Sequence, residues 1–510
     1  MRRSSACVSP DPAENRPNPD RGADVSESGE RTARSPVTTS SMATFSAVRT
    51  TGIYCRPGCG ARPRAENIVT FELAAAAEAA GYRACLKCRP YRTAGTVTAS
   101  APELVCRAVQ QIIAGALDEG SEPALGHSLG VSARHLRRLF NEHLGVTPSQ
   151  LASSRRAHFA RRLLDDSDLT ITQVALASGF GSVRQFNRAM RDVFRAAPRD
   201  LRERRRRDDR LVADGGLTLR VPFEPPHDWD ATLRFLAQGA IPGVESVHDG
   251  CYRRTIVLDG NPGLLELRAG GPDHLLLDAH LPYWEGLIHL VERTTRMVGI
   301  DTDITAGEAL LASDDVLGSL VRRQAGIRIP GAWGPFEMGL HAVISQELDP
   351  VSTRATLAAI VRSHGTHVPG LQYGLKYAFP SAATLADTDL AACRLPVAVT
   401  ALVKGFAYAV ATNAVQLDSA ASLDELVAAL IAIAGVDAST AQMIALRLGH
   451  HDAFPHADPH LLSALRLIGE PTGSVDDAAE RWRPCRALAA AHLVAHGMLL
   501  APRGDIIHVT

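Results

Sequence analysis

The sequence predicts a multidomain chain, mainly α with α+β parts, and three observations carry that expectation. Two short-spaced cysteine pairs, Cys55/Cys59 and Cys85/Cys88, stand 25 residues apart, which predicts a small α/β module closed over a metal ion. Between that module and residue 210 the chain is Arg-rich and repeats a glycine turn followed by a Ser-capped amphipathic stretch, the pattern of two helix-turn-helix units. From Leu217 apolar and polar residues alternate with period two, and beyond residue 305 the period becomes helical. That change predicts an α+β layer followed by a helical bundle. A length of 510 residues accommodates three or four domains with cores of their own.

Composition narrows the function classes. Apolar residues make up 45% of the chain, an ordinary globular share. No run reaches the roughly 18 apolar residues of a membrane span, and the N-terminus lacks an apolar signal core; a cytoplasmic protein without a membrane partner is expected. Beyond the two pairs, Cys7, Cys106, Cys251, Cys393 and Cys485 are scattered, and an odd total at irregular spacing argues against a disulfide framework. The net charge of −1 hides an asymmetry: residues 131–210 hold 18 Arg, no Lys and nine acidic side chains. That local excess of nine positive charges points to a polyanion, most simply double-stranded DNA.

Residues 1–42 are rich in Pro, Ser, Arg and acidic residues and cannot bury enough apolar surface to offset chain entropy, so a disordered tail is expected. The metal module is expected over 43–93. Strands are predicted at Thr44–Arg49 and Asn67–Phe71, and an Ala-rich helix over Glu72–Ala80 closed by Gly81. Four soft sulfur ligands in two pairs suit one Zn²⁺ per chain, held by Cys55, Cys59, Cys85 and Cys88. The string Ala-Val-Arg-Thr-Thr-Gly-Ile-Tyr-Cys55-Arg-Pro-Gly-Cys59, followed by Gly81-Tyr-Arg-Ala-Cys85-Leu-Lys-Cys88-Arg-Pro, resembles the N-terminal domain of the Ada methylation-response proteins. The resemblance implies that Cys55 accepts a methyl group from a DNA phosphotriester. Zinc-bound thiolates are competent nucleophiles at neutral pH. Four thiolates on Zn²⁺ sum to −2, and methylation of one leaves −1. Removing one charge about 8 Å from a phosphate is worth on the order of 0.5–2 kcal/mol, so DNA binding tightens after the reaction.

Residues 100–207 are expected to be helical. Leu129-Gly-Val-Ser132 precedes the amphipathic Arg134–Phe140, and Gly179-Phe-Gly-Ser182 precedes Val183–Arg188. The second copy, from Ile171 through Phe194 to Pro198, resembles the AraC-type signature, which implies two recognition helices in successive major grooves. Arg134, Arg137, Arg138, Arg184 and Arg188 are the expected phosphate or base contacts. Arg202–Arg210 reads as a basic linker.

Over 215–300 strands are predicted at Leu217–Val221, Tyr252–Leu258, Gly263–Arg268 and His274–Leu277, with helices over Trp229–Gln238 and Pro282–Val298. Pro222-Phe-Glu-Pro-Pro-His-Asp-Trp229 resembles the first domain of AlkA-type alkyladenine glycosylases, a supporting α+β layer. Residues 305–500 resemble that family's helix-hairpin-helix bundle through Pro330-Gly-Ala-Trp333-Gly-Pro-Phe336-Glu337, Gly435-Val-Asp437 and Glu480-Arg-Trp482-Arg-Pro-Cys485-Arg486. The resemblance implies that Gly435 and Thr440 meet a DNA phosphate, that a flipped base enters an apolar cleft, and that Asp458 is the catalytic carboxylate. Such a carboxylate stabilises the oxocarbenium-like sugar as the base departs. A Schiff-base lyase would need a lysine in the hairpin; Ser439 stands there, and only Lys87, Lys376 and Lys404 occur in the chain. Hydrolysis without strand cleavage is therefore expected. The hairpin departs from the family pattern Pro-Gly-apolar-Gly-x-Trp at Ala434, Asp437 and Ser439, and Cys485 replaces another Trp.

Together these readings imply an adaptive-response protein of the Ada–AlkA type. It would be a methyl acceptor and DNA-binding regulator that also excises alkylated bases such as 3-methyladenine. Contact with RNA polymerase is implied when it activates transcription. The alternative is a methylation-responsive regulator whose glycosylase half is catalytically weak or dead. No Pro-Cys-His-Arg sequence occurs, so no methylguanine transferase is expected.

Overall fold

The structure, a computed structural model, describes residues 45–61, 63–92, 102–205, 211, 216–418, 421–433, 435–468 and 475–500. The expected tail (1–42), residues 93–101, the basic residues 206–210 and Ala434 lie outside the described residues. The architecture is multidomain and mainly α with α+β parts. Among the described residues no helix is long and apolar enough to cross a membrane.

The cysteine module is a four-stranded sheet in the order β3-β1-β2-β4, built from β1 (Phe45–Val48), β2 (Ile53–Cys55), β3 (Ile68–Phe71) and β4 (Arg83–Ala84). β1 runs antiparallel to both neighbours, with Ser46 opposite Cys55, and β4 pairs parallel to β2. Helix α1 (Ala74–Ala79) is shorter than expected and ends before Gly81, whose φ of +91° closes the turn. β2 was not expected, because three residues are too few to show an alternating pattern.

Both helix-turn-helix units form. The helices are α2 (Glu103–Ile113), α3 (Glu122–Ser128), α4 (Ala133–Leu144), α5 (Pro148–Asp166), α6 (Ile171–Ala177), α7 (Val183–Phe194) and α8 (Pro198–Glu203). Ser132 Oγ accepts the His135 N–H and Ser182 Oγ accepts the Gln185 N–H, so each recognition helix, α4 and α7, starts on the serine that the pattern predicts. A Thr147/Gln150 capping box opens α5, which joins the two units.

The next layer is a five-stranded antiparallel sheet, order β5-β9-β8-β7-β6. Its elements are β5 (Leu217–Pro222), α9 (Trp229–Gly239), β6 (Glu245–His248), β7 (Cys251–Leu258), β8 (Asn261–Gly271), β9 (His274–His280) and α10 (Leu287–Met297). The sheet has one strand more than expected. β6 is half-buried throughout and has no alternation. Its signal lay in the turn: Asp249-Gly250 and Asp259-Gly260 both have positive φ at both residues, the two-residue turn that pairs β6 with β7 and β7 with β8.

The remainder is helical: α11 (Thr305–Ala312), α12 (Gly318–Arg323), α13 (Pro335–Ser345), α14 (Pro350–His364), α15 (Ala382–Asp387), α16 (Val397–Ala411), α17 (Leu423–Ile431), α18 (Ala438–Arg447), α19 (Pro459–Leu467), α20 (Val475–Glu480) and α21 (Arg486–Leu500). A two-stranded ribbon, β10 (Thr366–His367) with β11 (Tyr377–Ala378), crosses from it toward β7.

Core organisation does not follow these boundaries. The bundle has its own core around Leu340, Phe406, Leu461 and Trp482. A second core is continuous from Tyr54 and Tyr91 of the cysteine module, through Phe186 and Phe194 of the second helix-turn-helix unit, to Leu219 and Leu277 of the sheet. The first unit packs around Leu136 and Phe140, together with Leu73 and Ala75 beside the cysteine module. Charge pairs reinforce the shared core. Asp166, buried at the end of α5, accepts from Arg92 and from Arg220 of β5, each at 3.0 Å, and so links three segments.

Candidate functional sites: a thiolate cluster, two recognition helices and a cleft

The sulfur atoms of Cys55, Cys59, Cys85 and Cys88 all lie within 4.8 Å of one another. A tetrahedral ion with bonds of about 2.3 Å needs its sulfurs about 3.8 Å apart, so the donor set fits one zinc ion. Cys55 ends β2 and is the most enclosed of the four, 6% exposed. Burial pushes its thiol far above the ordinary range, and the charge of Cys88 adds to the effect. Cys88 is likewise pushed up by burial, to about 12, against a backbone N–H from Arg56. Cys85 is held below the ordinary range, where the N–H groups of Cys88 and Lys87 outweigh its burial. Burial opposes ionisation of Cys55 and Cys88, a cation among the sulfurs offsets that cost, and soft thiolates select zinc.

All five expected arginines are exposed on the recognition helices. They are not equally free. Arg137 donates to Glu122 on α3, and Glu122 also accepts from the Ser149 hydroxyl and N–H; Arg137 therefore braces the first unit. Arg138 stands 3.6 Å from Glu142 and Arg188 3.9 Å from Asp192, pairs of a type that solvent keeps weak. Arg134 and Arg184 have no ion pair among the described residues.

A cleft of about 680 Å³ opens between α9 and the bundle, lined by Phe235, Trp333, Gln346, Ser439 and Asp458 among others. Asp458 caps α19: its Oδ1 accepts the N–H groups of His460 (3.0 Å) and Leu461 (2.9 Å). Its Oδ2 makes no hydrogen bond among the described residues. Burial raises the carboxyl above its usual range, and the two N–H groups counter it only in part. His460 meets Gln238 of α9 across the cleft. Ser439 Oγ accepts the Ala457 N–H at 2.9 Å, so the residue that stands in the aromatic position fastens the loop leading to Asp458. Neither Lys376 nor Lys404 lines the cleft.

The hairpin before α18 is tight. Gly435 has φ of +92°, and a Cβ there would come within 2.6 Å of Leu402. Its polar groups are engaged within the chain. The Thr440 N–H donates to Asp437 Oδ1 at 2.7 Å, the Thr440 side chain is buried, and Gln346 bonds both the Gly435 carbonyl and the Asp437 N–H. Sequence reasoning also missed the charged wall of the cleft. Arg254 bridges Glu337 (2.7 Å) and Glu245 (3.2 Å), with its guanidinium carbon 5.0 Å from the Trp333 ring centre. Residues 83 positions apart in an apolar strand and an apolar helix give no local sign of pairing.

A cysteine cluster on a small sheet, paired helix-turn-helix units, and a cleft-bearing bundle behind an antiparallel layer define a DNA-repair regulator class, and the comparisons agree. Three family models match: the metal binding domain of Ada over residues 33–91, a helix-turn-helix domain over 125–204, and the AlkA N-terminal domain over 218–334. A probable bifunctional transcriptional activator/DNA repair enzyme AlkA of Mycobacterium tuberculosis is 33% identical over 454 residues, 88% of this chain and 91% of that one. The chain belongs to this family of bifunctional transcriptional activator/DNA repair proteins. In Escherichia coli K12 it resembles two separate proteins. DNA-3-methyladenine glycosylase 2 is 23% identical over 53% of this chain and 94% of its own length. The bifunctional activator/repair enzyme Ada is 35% identical over 26% of this chain and 37% of its own.

Proposed function

We propose that the chain senses DNA methylation, regulates transcription and repairs alkylated bases, with the work divided among segments 43–93, 100–207, 215–300 and 305–500. Zinc, when bound, keeps the four sulfurs as thiolates. A lone pair on Cys55 Sγ then attacks the methyl carbon of a DNA methylphosphotriester. The S–C bond forms as the C–O bond breaks, and the electron pair leaves with the phosphodiester oxygen. Loss of one negative charge beside the backbone tightens DNA binding through the arginines of α4 and α7. In the bundle, a flipped alkylated base enters the cleft, and Asp458 stabilises the developing sugar cation while water completes hydrolysis. Lysine-free chemistry leaves the strand intact. Recruitment of RNA polymerase by the methylated form is the finer part of this reading.

The observation that carries it is the convergence of Cys55, Cys59, Cys85 and Cys88 within one thiolate cluster on a module whose core runs into the helix-turn-helix. The test is to incubate the zinc-loaded chain with methylphosphotriester DNA and weigh the peptide bearing Cys55. A gain of one CH₂ is expected, and an unshifted mass would reject methyl acceptance. Release of 3-methyladenine or 7-methylguanine from alkylated DNA above a no-enzyme control tests the second half. One observation favours a regulator with a silent bundle: Asp437 already occupies the hairpin N–H that the family offers to phosphate. Absence of base release would decide for it.

A further inference from the structure

Resting on the methyl-acceptor reading, we start from a buried polar strut between the strand of Cys55 and helix α5. Tyr54 precedes Cys55 on β2, and successive strand residues point to opposite faces. Tyr54 is fully buried (0% exposed). Its hydroxyl donates to Glu78 Oε1 at 2.6 Å and stands 3.2 Å from His158 Nε2, which is 2.6 Å from the same Glu78 oxygen. His158 belongs to α5, which joins the two DNA-binding units. Its ring lies 5.9 Å from that of Phe194, the last residue of recognition helix α7. The first unit shares an apolar core with the module through Leu73 and Ala75.

We propose that the methylation state of Cys55 is passed to the second helix-turn-helix unit through Tyr54, Glu78 and His158, which position α7. A methyl on Cys55 Sγ adds volume and removes charge at the end of a three-residue strand. Packed interiors yield by discrete rearrangement rather than by continuous bending. Tyr54 shares a peptide bond with Cys55, so a shift of β2 is taken up at His158 and Phe194. Part of the response is then mechanical and confined to one half-site, besides the charge effect felt by the whole backbone.

The test uses the full zinc-loaded chain and a duplex that the methylated wild type selects from a randomised library. Tyr54→Phe removes only the hydroxyl. It should keep zinc and accept methyl at Cys55, while its tightening on methylation falls by about fivefold or more relative to wild type, the lower end of ordinary allosteric couplings. Footprints should lose their response over the half-site of the second unit alone. His158→Leu, on the other side of the strut, should behave alike, and His158→Gln, which keeps a donor to Glu78, should retain most of the coupling. A merely structural defect lowers both affinities and leaves their ratio unchanged. If Tyr54→Phe loses zinc, His158→Leu decides. Wild-type tightening in His158→Leu overturns the proposal, as does a wild type that takes methyl without tightening. A wild type that takes no methyl overturns the underlying reading instead.

Discussion

The two chemical centres are built in opposite ways. The thiolate cluster draws every ligand from 34 consecutive residues, 55–88, and its chemistry depends on residue identity alone. The cleft collects its walls from residues 231 to 498, and its chemistry depends on fit. Their supports differ as well. The cluster sits on a core continuous with the second DNA-binding unit and the sheet, whereas the bundle packs about a separate core that Ile241 and Val244 join from the sheet layer. The contrast teaches that damage to the cluster should spread into DNA binding, and that damage to the cleft should stay local.

Metal removal is the largest way to break that contrast. Structural zinc contributes roughly 10–16 kcal/mol of apparent binding free energy in small domains. Cys88→Ser, or exhaustive chelation, should therefore unfold the cysteine module and strip cover from Tyr54, Tyr91 and Phe194. Calorimetry should resolve an early transition that the zinc-loaded chain lacks, with operator affinity lost, while base release persists. A single transition with both activities lost together would contradict separate cores.

Asp458→Asn is the next in size and addresses the cleft alone. The amide oxygen can still accept from His460 and Leu461, so the cap and the melting temperature should hold. Excision should fall by about 10²–10⁴-fold, the usual worth of a catalytic proton-handling or charge-bearing side chain. The pH profile gives a second readout. Burial raises the Asp458 carboxyl above its ordinary value, so the protonated, inactive form persists to higher pH, and the acid limb of excision should begin above that of an exposed aspartate. The same raised value means that this group opposes stability as pH rises through it, because ionisation is harder in the fold than in the unfolded chain.

These two centres also mark what the sequence reveals and what it hides. Cysteine pairs, serine caps at Ser132 and Ser182, and the Asp-Pro at 458–459 are local patterns with local causes, and the fold keeps all of them. β2 escaped because three residues are too few to show a period, and β6 because its four half-buried residues do not alternate. The shared core escaped because it rests on contacts such as Tyr54 with His158, 104 positions apart, between segments that each look like complete domains. Arg137 looked like any other exposed arginine until its partner, Glu122, was placed beneath it. Ser439 read as a lost aromatic, yet its hydroxyl holds the loop before Asp458.

Asp166→Ala tests the shared core at smaller cost. This buried carboxylate faces Arg92 and Arg220, both mostly covered. Burial raises its pKa against the pull of those two guanidinium groups. Truncation removes the carboxylate that Arg92 and Arg220 share, while Arg92 keeps Asp165 at 3.5 Å, so the cost should be no more than about 3 kcal/mol, the low end for a broken buried pair. Denaturant unfolding should show that loss in the transition containing the cysteine module and the sheet. Transfer of the loss to the bundle transition would mean that the two cores are not independent.

The smallest effect concerns the hairpin. Asp437 Oδ1 takes the Thr440 N–H at 2.7 Å, which places a negative charge over the turn that the family presents to phosphate. Asp437→Gly removes that charge and restores the family residue. Glycine is itself a tolerated cap, so the stability loss should be a few tenths of a kcal/mol, and no more than about 1. The freed N–H and the relief of like charge should lower KM for alkylated duplex and steepen its salt dependence, with kcat unchanged because Asp458 is untouched. An unchanged KM would mean that the bundle does not grip DNA through its hairpin. Its substrate would then be held by the arginines of α4 and α7, and the cleft would depend on the region around the thiolate cluster for its hold on DNA.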